Sequence, residues 1–108
     1  MDFAPSTPPM IHEATRERDG IILKGAPLEE SAAMDRRQAG DDVVVCGANI
    51  TANRSMAGRI ETGVGPCFSQ PPHIRSAGPF ALPHFQQVDR SHPGHTFYET
   101  PRRKARKP

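Results

Sequence analysis

PHIRSAGPFALPHFQQVDRSHPGHTFYET, residues 72–100, contains four of the five histidines of this 108-residue chain. Two short apolar runs in this stretch, residues 80–88 and residues 95–99, are separated by DRSHPG, whose composition is typical of a turn. The pattern predicts a β-hairpin-like pair of strands. Because neighbouring strands lie about 4.8 Å apart, this pairing would bring His84 and His95 close together.

The same stretch supplies the groups that metal-independent cleavage of RNA requires. A base must take the 2′-hydroxyl proton, an acid must protonate the leaving 5′-oxygen, and cations must stabilise the charge on phosphorus. Histidine suits both proton roles because its unperturbed pKa is about 6.5. His84 and His95 are the candidates for base and acid, in either order, and His73 is a third. The candidates to bind the phosphate are Arg75 and Arg90, and the candidates to orient it are Thr96 and Tyr98.

Strand alternation divides these candidates between two faces. Along GHTFYET, Thr96 and Tyr98 point one way while His95 and Phe97 point the other. If Phe97 faces the core, His95 lies at the rim of that face and Tyr98 lies on the opposite one. This parity conflicts with a single site that contains both His95 and Tyr98. A lone histidine is also most often a surface or hydrogen-bonded residue, so the hypothesis depends on the cluster.

The strongest strand pattern is DDVVVC, residues 41–46, where three consecutive valines predict burial on both faces. TANRSMAGRIETG, residues 51–63, predicts an amphipathic helix that Asn49 or Thr51 could cap. A strand, a tight turn and this helix would form a structural nucleus. The residues expected on the buried side of the helix are Ala52, Met56, Ala57 and Ile60.

The opposite side of this helix is expected to be exposed and to carry Asn53, Arg54 and Glu61. Arg54 there could contact a substrate backbone, although a solvated arginine is the more common outcome. The turn before the helix has a single glycine and neither GxGxxG nor GxxxxGK, so a nucleotide-binding motif is rejected.

Composition limits the size of the core. The chain has 35% hydrophobic residues, 12 prolines and 9 glycines, which favours a folded part of roughly 60 to 65 residues. We predict an α+β fold in which one or two helices pack on a short antiparallel sheet. Residues 1–39 are expected to be a linker or disordered segment with a peripheral helix near residues 28–38, and residues 40–108 to be the folded domain. The basic tail PRRKARKP, residues 101–108, is also expected to be disordered.

Charge is divided unevenly along the chain. Residues 1–45 contain nine acidic and five basic residues, whereas residues 46–108 contain three acidic and nine basic ones. The basic half favours a polyanion such as RNA or DNA, although a solvated tail is the alternative. The sequence contains no apolar run of about 18 residues, so we predict no membrane span. The first residues lack the pattern of a secretory signal peptide. The tail residues expected to contact a substrate are Arg102, Arg103 and Lys104.

Two cysteines, Cys46 and Cys67, lie outside any CxxC pair, so one disulfide or two free thiols are both compatible with the sequence. A zinc site that joins them to His73 and His84 lacks the short paired spacings of structural zinc sites. We therefore expect no metal and no cofactor. GxSxG, a carboxylate pair for glycoside hydrolysis, and the HxE and PCxxC motifs of zinc deaminases do not occur in the sequence.

Several segments resemble a known class of proteins: GDDVVVCG with a following ANR, RIETGVGP, SAGPFALPHFQ, and GHTFYET before a basic tail. From about residue 39 to residue 107 the chain resembles the variable C-terminal toxin domains of bacterial polymorphic toxins, of the Rhs-repeat and contact-dependent growth-inhibition kind. The resemblance implies delivery as part of a larger secreted effector, action in the cytoplasm of a target cell, and neutralisation by a cognate immunity protein, which we expect to be acidic.

Many such toxins are metal-independent ribonucleases with a small α+β fold similar to the barnase, EndoU, colicin and RelE group. The resemblance implies His84 and His95 as site positions, with Arg75 and Tyr98 beside them. The glutamate base of the barnase type has no clear counterpart in this sequence, and toxins of this kind also include DNases, ADP-ribosyltransferases and deaminases. The alternative function is a non-enzymatic module that binds nucleic acid or a partner through the basic half.

Overall fold

In the computed structural model, residues 8–89 and 92–108 are described. Within these residues the chain forms one six-stranded sheet with the strand order β2-β1-β3-β6-β5-β4. Its strands are β1 Met10–Arg16, β2 Ile22–Leu28, β3 Val43–Cys46, β4 Cys67–Gln70, β5 His84–Gln87 and β6 Thr96–Tyr98. The helices are α1 Glu30–Gln38, α2 Ile50–Val64 and the short α3 Ile74–Ala77, and a 3₁₀ turn covers Arg18–Gly20.

The predicted α+β class is confirmed, but the sheet is mixed rather than antiparallel. β3 lies at its centre and pairs antiparallel with β1 and parallel with β6. All four residues of β3 are buried, as the run of valines predicted. Both faces of this strand therefore need cover, and the fold supplies a different layer on each.

The two faces of the sheet carry separate apolar clusters. Val43 and Val45 pack under α1 and α2, whereas Val44 points to the other face. The cluster on the helical face is Ile11, Ala33, Val43, Val45, Ala57, Ile60 and Tyr98. The cluster on the opposite face is Ala14, Ile22, Val44, Cys46, Leu82, Phe97 and Ala105, so irregular segments rather than long helices cover it.

The N-terminal part of the described chain forms two strands of the sheet, β1 and β2. β1 pairs antiparallel with both β2 and β3, and Ile11 and Ala14 are buried. The prediction of a linker over residues 1–39 is therefore wrong for β1 and β2, whereas the helix predicted near residues 28–38 is present as α1. A strand with partners on both sides is held by backbone hydrogen bonds, so a polar sequence can form it. The disorder predicted for residues 1–7 lies outside the described residues.

α2 has the predicted extent, but its faces differ from the prediction. The side chain of Asn49 accepts a hydrogen bond from the backbone N–H of Ala52 at 3.0 Å and caps the helix. Asn53 and Glu61, expected to be exposed, are buried. They are buried because each finds partners within the fold, and for Glu61 these include a buried arginine of α1, Arg37.

The basic C-terminal segment is ordered against the sheet. Ala105 is buried, and Arg106 forms a bridge to Leu23 of β2. The backbone N–H of Arg106 donates to the Ile22 carbonyl at 2.8 Å, and the N–H of Lys24 donates to the Arg106 carbonyl at 2.8 Å. The prediction of a disordered tail is therefore wrong through Arg106, because backbone pairing and one buried alanine hold the segment.

Among the described residues, none of the helices combines the length and the apolar character needed to cross a membrane.

Candidate active site

The predicted hairpin is present and brings two histidines into contact. β5 and β6 pair antiparallel, with His84 opposite Phe97. Cross-strand partners share a face, so His84 and Phe97 lie together on the face opposite α1 and α2. His95 precedes β6, and its ring stacks on that of His84 with centroids 4.3 Å apart and planes inclined by 15°. The expected proximity of His84 and His95 is confirmed.

A third histidine packs against this pair at a tilt, and we call the three rings together the histidine stack. His73 is the residue before α3, and its ring centroid lies 4.9 Å from that of His84, at an inclination of 49°. His84 contacts both other rings and is therefore the central member of the stack. His73 is exposed and His95 is half-buried, so the two outer imidazoles are the accessible ones.

His84 is held on both ring nitrogens. The residue is 2% exposed, its Nδ1 lies 3.2 Å from the carbonyl oxygen of Leu82, and its Nε2 lies 3.2 Å from the Gln86 side-chain amide. A carbonyl can only accept, so Nδ1 carries the proton in the neutral ring. Nε2 of that ring is an acceptor, so it bonds to Gln86 with the amide turned to present its NH₂ group in place of Oε1. Burial lowers the pKa of His84 from its usual value, with the nearby His73 adding to the effect. These contacts fix the ring rather than leave it free to react.

His95 is in a different state. Burial, together with nearby His84 and Arg16, lowers its pKa to about 4, so its imidazole is neutral at pH 7. Nδ1 of His95 is buried and has no hydrogen-bond partner of good geometry within the described ranges. The backbone N–H of His95 donates to Asp42 Oδ1 at 2.7 Å, which fixes the residue at the start of β6.

The cation beside this stack, Arg16, comes from the last position of β1. Its Nε and Nη2 donate to the two carboxylate oxygens of Asp42 at 2.9 Å each, and its guanidinium lies 5.6 Å from the centre of the Phe97 ring. Its side chain is 48% exposed, so part of the guanidinium faces solvent. Sequence reasoning missed Arg16 because it lies in a segment predicted to be disordered. Recognising Ile11 and Ala14 as the buried positions of a strand would have been the available signal.

Two hollows meet at the histidines. One has a volume of about 330 Å³ and is lined by Arg16, the three stacked histidines and Phe97, among others. The second has a volume of about 460 Å³ and is lined by polar residues of β4 and β5 such as Gln70 and Gln86. Arg16, His73 and His95 line both, so the two hollows adjoin and form one groove, which we call the histidine groove.

One wall of the histidine groove depends on a glycine. Gly78 follows α3 with φ of +124°, and a Cβ at this position would lie 2.2 Å from the carbonyl carbon of Asp19 in the 3₁₀ turn. This close approach seats α3, which follows His73, beside the end of β1, which carries Arg16. Only glycine combines this backbone conformation with so little space.

A buried ion pair supports the groove from the helical face. Arg37 of α1 donates to both carboxylate oxygens of Glu61 of α2, at 2.8 and 3.1 Å, and neither side chain is exposed. Arg37 also donates to the carbonyls of Pro93 and Gly94 at 2.9 and 3.2 Å. Because these two residues precede His95, the ion pair fixes the segment that delivers His95 to the stack.

Thr96 and Tyr98 do not belong to the histidine groove. The hydroxyl of Thr96 donates to Glu61 at 2.8 Å, and Tyr98 packs in the cluster under the helices. Both therefore lie on the face opposite the stack, as strand parity required. The structure thus does not bring Tyr98, predicted to be catalytic, or Thr96, predicted to bind substrate, together with the histidines.

The predicted arginines and lysine are scattered. Arg75 is exposed on α3 and does not line the groove. Arg54 lies on α2, with its guanidinium 5.9 Å from the centre of the Phe85 ring, on the helical face of the sheet. Arg90 lies outside the described residues. Arg102, Arg103 and Lys104 line a separate pocket with Phe80. Of the predicted residues, the structure brings together His73, His84 and His95 and leaves the described cations of this set elsewhere.

The cysteines stand apart from this chemistry. Cys46 and Cys67 are free thiols, and burial raises the pKa of Cys46 to about 12, with Glu99 adding to the effect. In residues 8–89 and 92–108, no group of three or more histidine, cysteine, aspartate or glutamate side chains is arranged to hold a metal ion. The zinc site drawn from Cys46, Cys67, His73 and His84 is thus not assembled.

Comparison of the chain with protein-family models, with curated proteins and with solved structures gives no match.

Proposed function

We propose that this chain is a toxin endoribonuclease that cleaves RNA without a metal, with His95 and His73 as its proton-transfer groups and Arg16 as its phosphate-binding group. The observation that carries the proposal is the stack of three histidines in a groove beside a half-exposed arginine. Imidazole is the side chain best suited to move protons near neutral pH, and a guanidinium suits a phosphodiester.

The chemistry is transphosphorylation. Nε2 of His95 takes the proton of the ribose 2′-hydroxyl as the O2′–P bond forms. His73 gives a proton to the 5′-oxygen as the P–O5′ bond breaks. The products are a 2′,3′-cyclic phosphate and a free 5′-hydroxyl, so atoms and protons balance. Arg16, which keeps part of its guanidinium in solvent despite its pair with Asp42, stabilises the charge that develops on the phosphate oxygens.

The low pKa of His95 favours the role of base. A base must be neutral before it acts, and His95 is neutral at pH 7 because burial and its neighbours lower its pKa to about 4. A phosphodiester anion bound beside the ring stabilises the protonated form and raises this pKa. The bound substrate therefore brings His95 closer to the pKa that proton transfer requires.

His84 is assigned a positioning role. Its two ring nitrogens are already engaged by Leu82 and Gln86, and the residue is almost completely buried. It separates the two outer rings and fixes the plane on which His95 stacks. Loss of His84 would thus let His73 and His95 shift relative to each other without removing either proton-transfer group.

The toxin context rests on the resemblance of residues 39–107 to C-terminal domains of polymorphic toxins. We propose that the domain is delivered as part of a larger secreted protein, acts in the cytoplasm of a target cell, and is neutralised by an acidic immunity protein. A carboxylate-rich partner surface would complement Arg16 and cover the histidine groove, which would keep RNA out.

The test is incubation of the purified chain with total cellular RNA, with and without EDTA, beside His95→Ala, His73→Ala, His84→Gln and His12→Ala. His12 is the matched control because it lies away from the groove and contacts the Gly25 carbonyl. We expect cleavage that survives EDTA, falls about 10²- to 10⁴-fold in His95→Ala and His73→Ala, falls less in His84→Gln, and is unchanged in His12→Ala.

Circular dichroism of each variant establishes that it is folded. Cleavage lost in EDTA would reassign the histidines to metal binding. No cleavage by the folded parent chain would overturn the ribonuclease proposal. It would favour the second candidate, a nucleic-acid-binding module, for which the pocket lined by Arg102, Arg103, Lys104 and Arg106 is the supporting observation.

A further inference from the structure

We propose that the pocket formed by Pro79, Phe80 and the C-terminal segment binds one nucleotide of single-stranded RNA, with its base stacked at Phe80 and its phosphate held by Arg102 and Lys104. The inference deepens the proposed function and rests on it for the identity of the substrate. We call this hollow the tail pocket.

The tail pocket is a cationic hollow with one aromatic side chain. Its volume is about 430 Å³, and its lining residues are Pro79, Phe80, Arg102, Arg103, Lys104 and Arg106. Four of these six residues are cationic and none is acidic. Such a combination of positive charge with an exposed ring is what single-stranded nucleic acid binds, because each nucleotide offers one anionic phosphate and one flat base.

The cations are presented on an ordered backbone. Nη1 of Arg103 donates to the carbonyls of Pro79 and Ala81 at 3.0 and 2.8 Å, which ties the tail to the loop beneath it. The Thr100 hydroxyl accepts from the backbone N–H of Arg103 at 3.0 Å, and Glu99 Oε2 accepts from that of Ala105 at 2.8 Å. A ligand that binds here does not need to order a flexible tail, so little affinity is lost to entropy.

Two of the cations remain available for a ligand. Arg103 is committed to backbone carbonyls, and the guanidinium of Arg106 lies 4.6 Å from the centre of the Phe80 ring. Arg102 and Lys104 are exposed, and neither forms an ion pair with any residue that the structure describes. These two side chains are thus the phosphate-binding groups of the proposal.

Phe80 supplies the surface for the base. It is 46% exposed, so part of its side chain faces solvent. Arg106 covers one part of the ring, and the guanidinium–ring pair presents a flat surface on which a base can stack. A base paired within a duplex has its faces occupied, so this mode of binding selects single strands.

Successive residues of one loop line the tail pocket and the histidine groove. Ala81 and Leu82, which directly follow Phe80, line the groove beside His84 and His95. A strand that crosses this loop would therefore occupy both hollows. The tail pocket would then contribute to the binding of longer RNA and leave the reaction of a dinucleotide unchanged.

Binding is tested with a fluorescein-labelled uridine oligonucleotide methylated at every 2′-oxygen, which has no free nucleophile and cannot be cleaved. Its affinity is measured by fluorescence anisotropy over a range of salt concentrations. We expect Phe80→Ala and Phe80→Leu to weaken binding about tenfold and Phe80→Trp to retain it. Val88→Ala, which removes another exposed apolar side chain, is the matched control and should bind like the parent.

The contribution of positive charge to binding is tested with a double variant, Arg102→Ala with Lys104→Ala. Loss of the contacts to this one phosphate should reduce the slope of log affinity against log salt by about 0.7. Arg59→Ala is the control, because this exposed arginine pairs with Glu30 on the helical side of the molecule. Its slope should match that of the parent chain.

The outcomes separate this inference from the ribonuclease proposal. Single-strand binding that depends on Phe80 in a parent chain without RNA cleavage would leave the tail pocket standing and overturn the enzyme. Parent-like binding by Phe80→Ala or by the double charge variant would overturn the tail pocket, whatever the activity. Equal competition by duplex RNA, or no binding by the parent, would overturn it as well.

Discussion

At the residue scale, the three stacked histidines differ in what each can do. His84 is fixed by Leu82 and Gln86, His73 is exposed, and His95 is half-buried with a pKa lowered to about 4. Stacking on His84 and the charge of Arg16 both disfavour the protonated form of His95, which burial already penalises. The same packing that assembles the site thus sets the protonation state of its proposed base.

The pH dependence of RNA cleavage follows from this state. As the pH falls through the pKa of His95, the ring gains a proton and stops acting as a base, so kcat/KM should fall on the acidic side. We expect the midpoint of this decline near pH 4, well below the usual histidine value of about 6.5, because kcat/KM reports the free enzyme. The decline of kcat on the acidic side should lie at higher pH than that of kcat/KM, because the bound phosphodiester raises the pKa of His95.

The measurement is initial rates on a short oligoribonucleotide between pH 3.5 and pH 8. Arg16→Gln removes a neighbouring positive charge and should move the kcat/KM decline to higher pH, although the overall rate falls. A decline of kcat/KM centred at pH 6.5 or above in the parent would contradict His95 as the base.

At the scale of elements, the pair between Arg37 and Glu61 joins α1, α2 and the segment before β6. Gln87 and Thr96 also donate to Glu61, so the carboxylate has partners from β5 and β6 as well. A buried pair of this kind contributes little net free energy, yet removal of one partner leaves an uncompensated charge. Because Arg37 holds the carbonyls of Pro93 and Gly94, the consequence should reach His95.

We expect Glu61→Gln to lower the free energy of unfolding by about 3 to 5 kcal/mol, because it leaves the buried guanidinium of Arg37 without its counter-ion. Glu30→Gln is the matched control. It breaks the exposed pair with Arg59 and should cost less than about 1 kcal/mol. Urea denaturation followed by circular dichroism measures both. Equal costs in the two variants would show that the Arg37–Glu61 pair is not the link between these elements.

Elements with a strong local pattern could be predicted from the sequence. The valines of β3, the helix formers of α1 and the apolar runs of β5 and β6 each carry their own signal, and all four elements occur. The proximity of His84 to His95 followed from the predicted pairing of these last two strands. The face of α2 could not be predicted, because Glu61 is buried by a partner, Arg37, that lies in another helix.

At the scale of the whole molecule, the two ends of the described chain meet on the face that carries the site. β1 brings Arg16 to the histidines, and the C-terminal segment pairs with β2 through Arg106 and buries Ala105 beneath it. Neither end has the apolar pattern of a core element, so composition indicated a smaller domain than the one that forms. Contacts between residues far apart in sequence, rather than local propensity, complete the sheet and the groove.

The C-terminal segment should therefore stabilise the fold as well as bind a polyanion. Deletion of residues 101–108 removes the two hydrogen bonds from Arg103 to backbone carbonyls and the two backbone hydrogen bonds between Arg106 and β2. It also removes the hydrogen bond that the N–H of Ala105 donates to Glu99. At about 0.5 to 1.5 kcal/mol for each of these five net hydrogen bonds, we expect the free energy of unfolding to fall by about 2.5 to 7.5 kcal/mol.

Deletion of residues 107 and 108 alone is the control. It removes one lysine charge but none of the hydrogen bonds that anchor the segment, so the free energy of unfolding should stay within about 0.5 kcal/mol of that of the parent. Thermal and urea denaturation of the two truncated chains measure the difference. If the longer deletion is as stable as the parent, then the tail is only a surface of charge. If the longer deletion is destabilised as expected, a loss of RNA binding on truncation could come from the loss of structure. The point variants Arg102→Ala and Lys104→Ala separate the two effects, because they remove charge and keep the backbone of the segment.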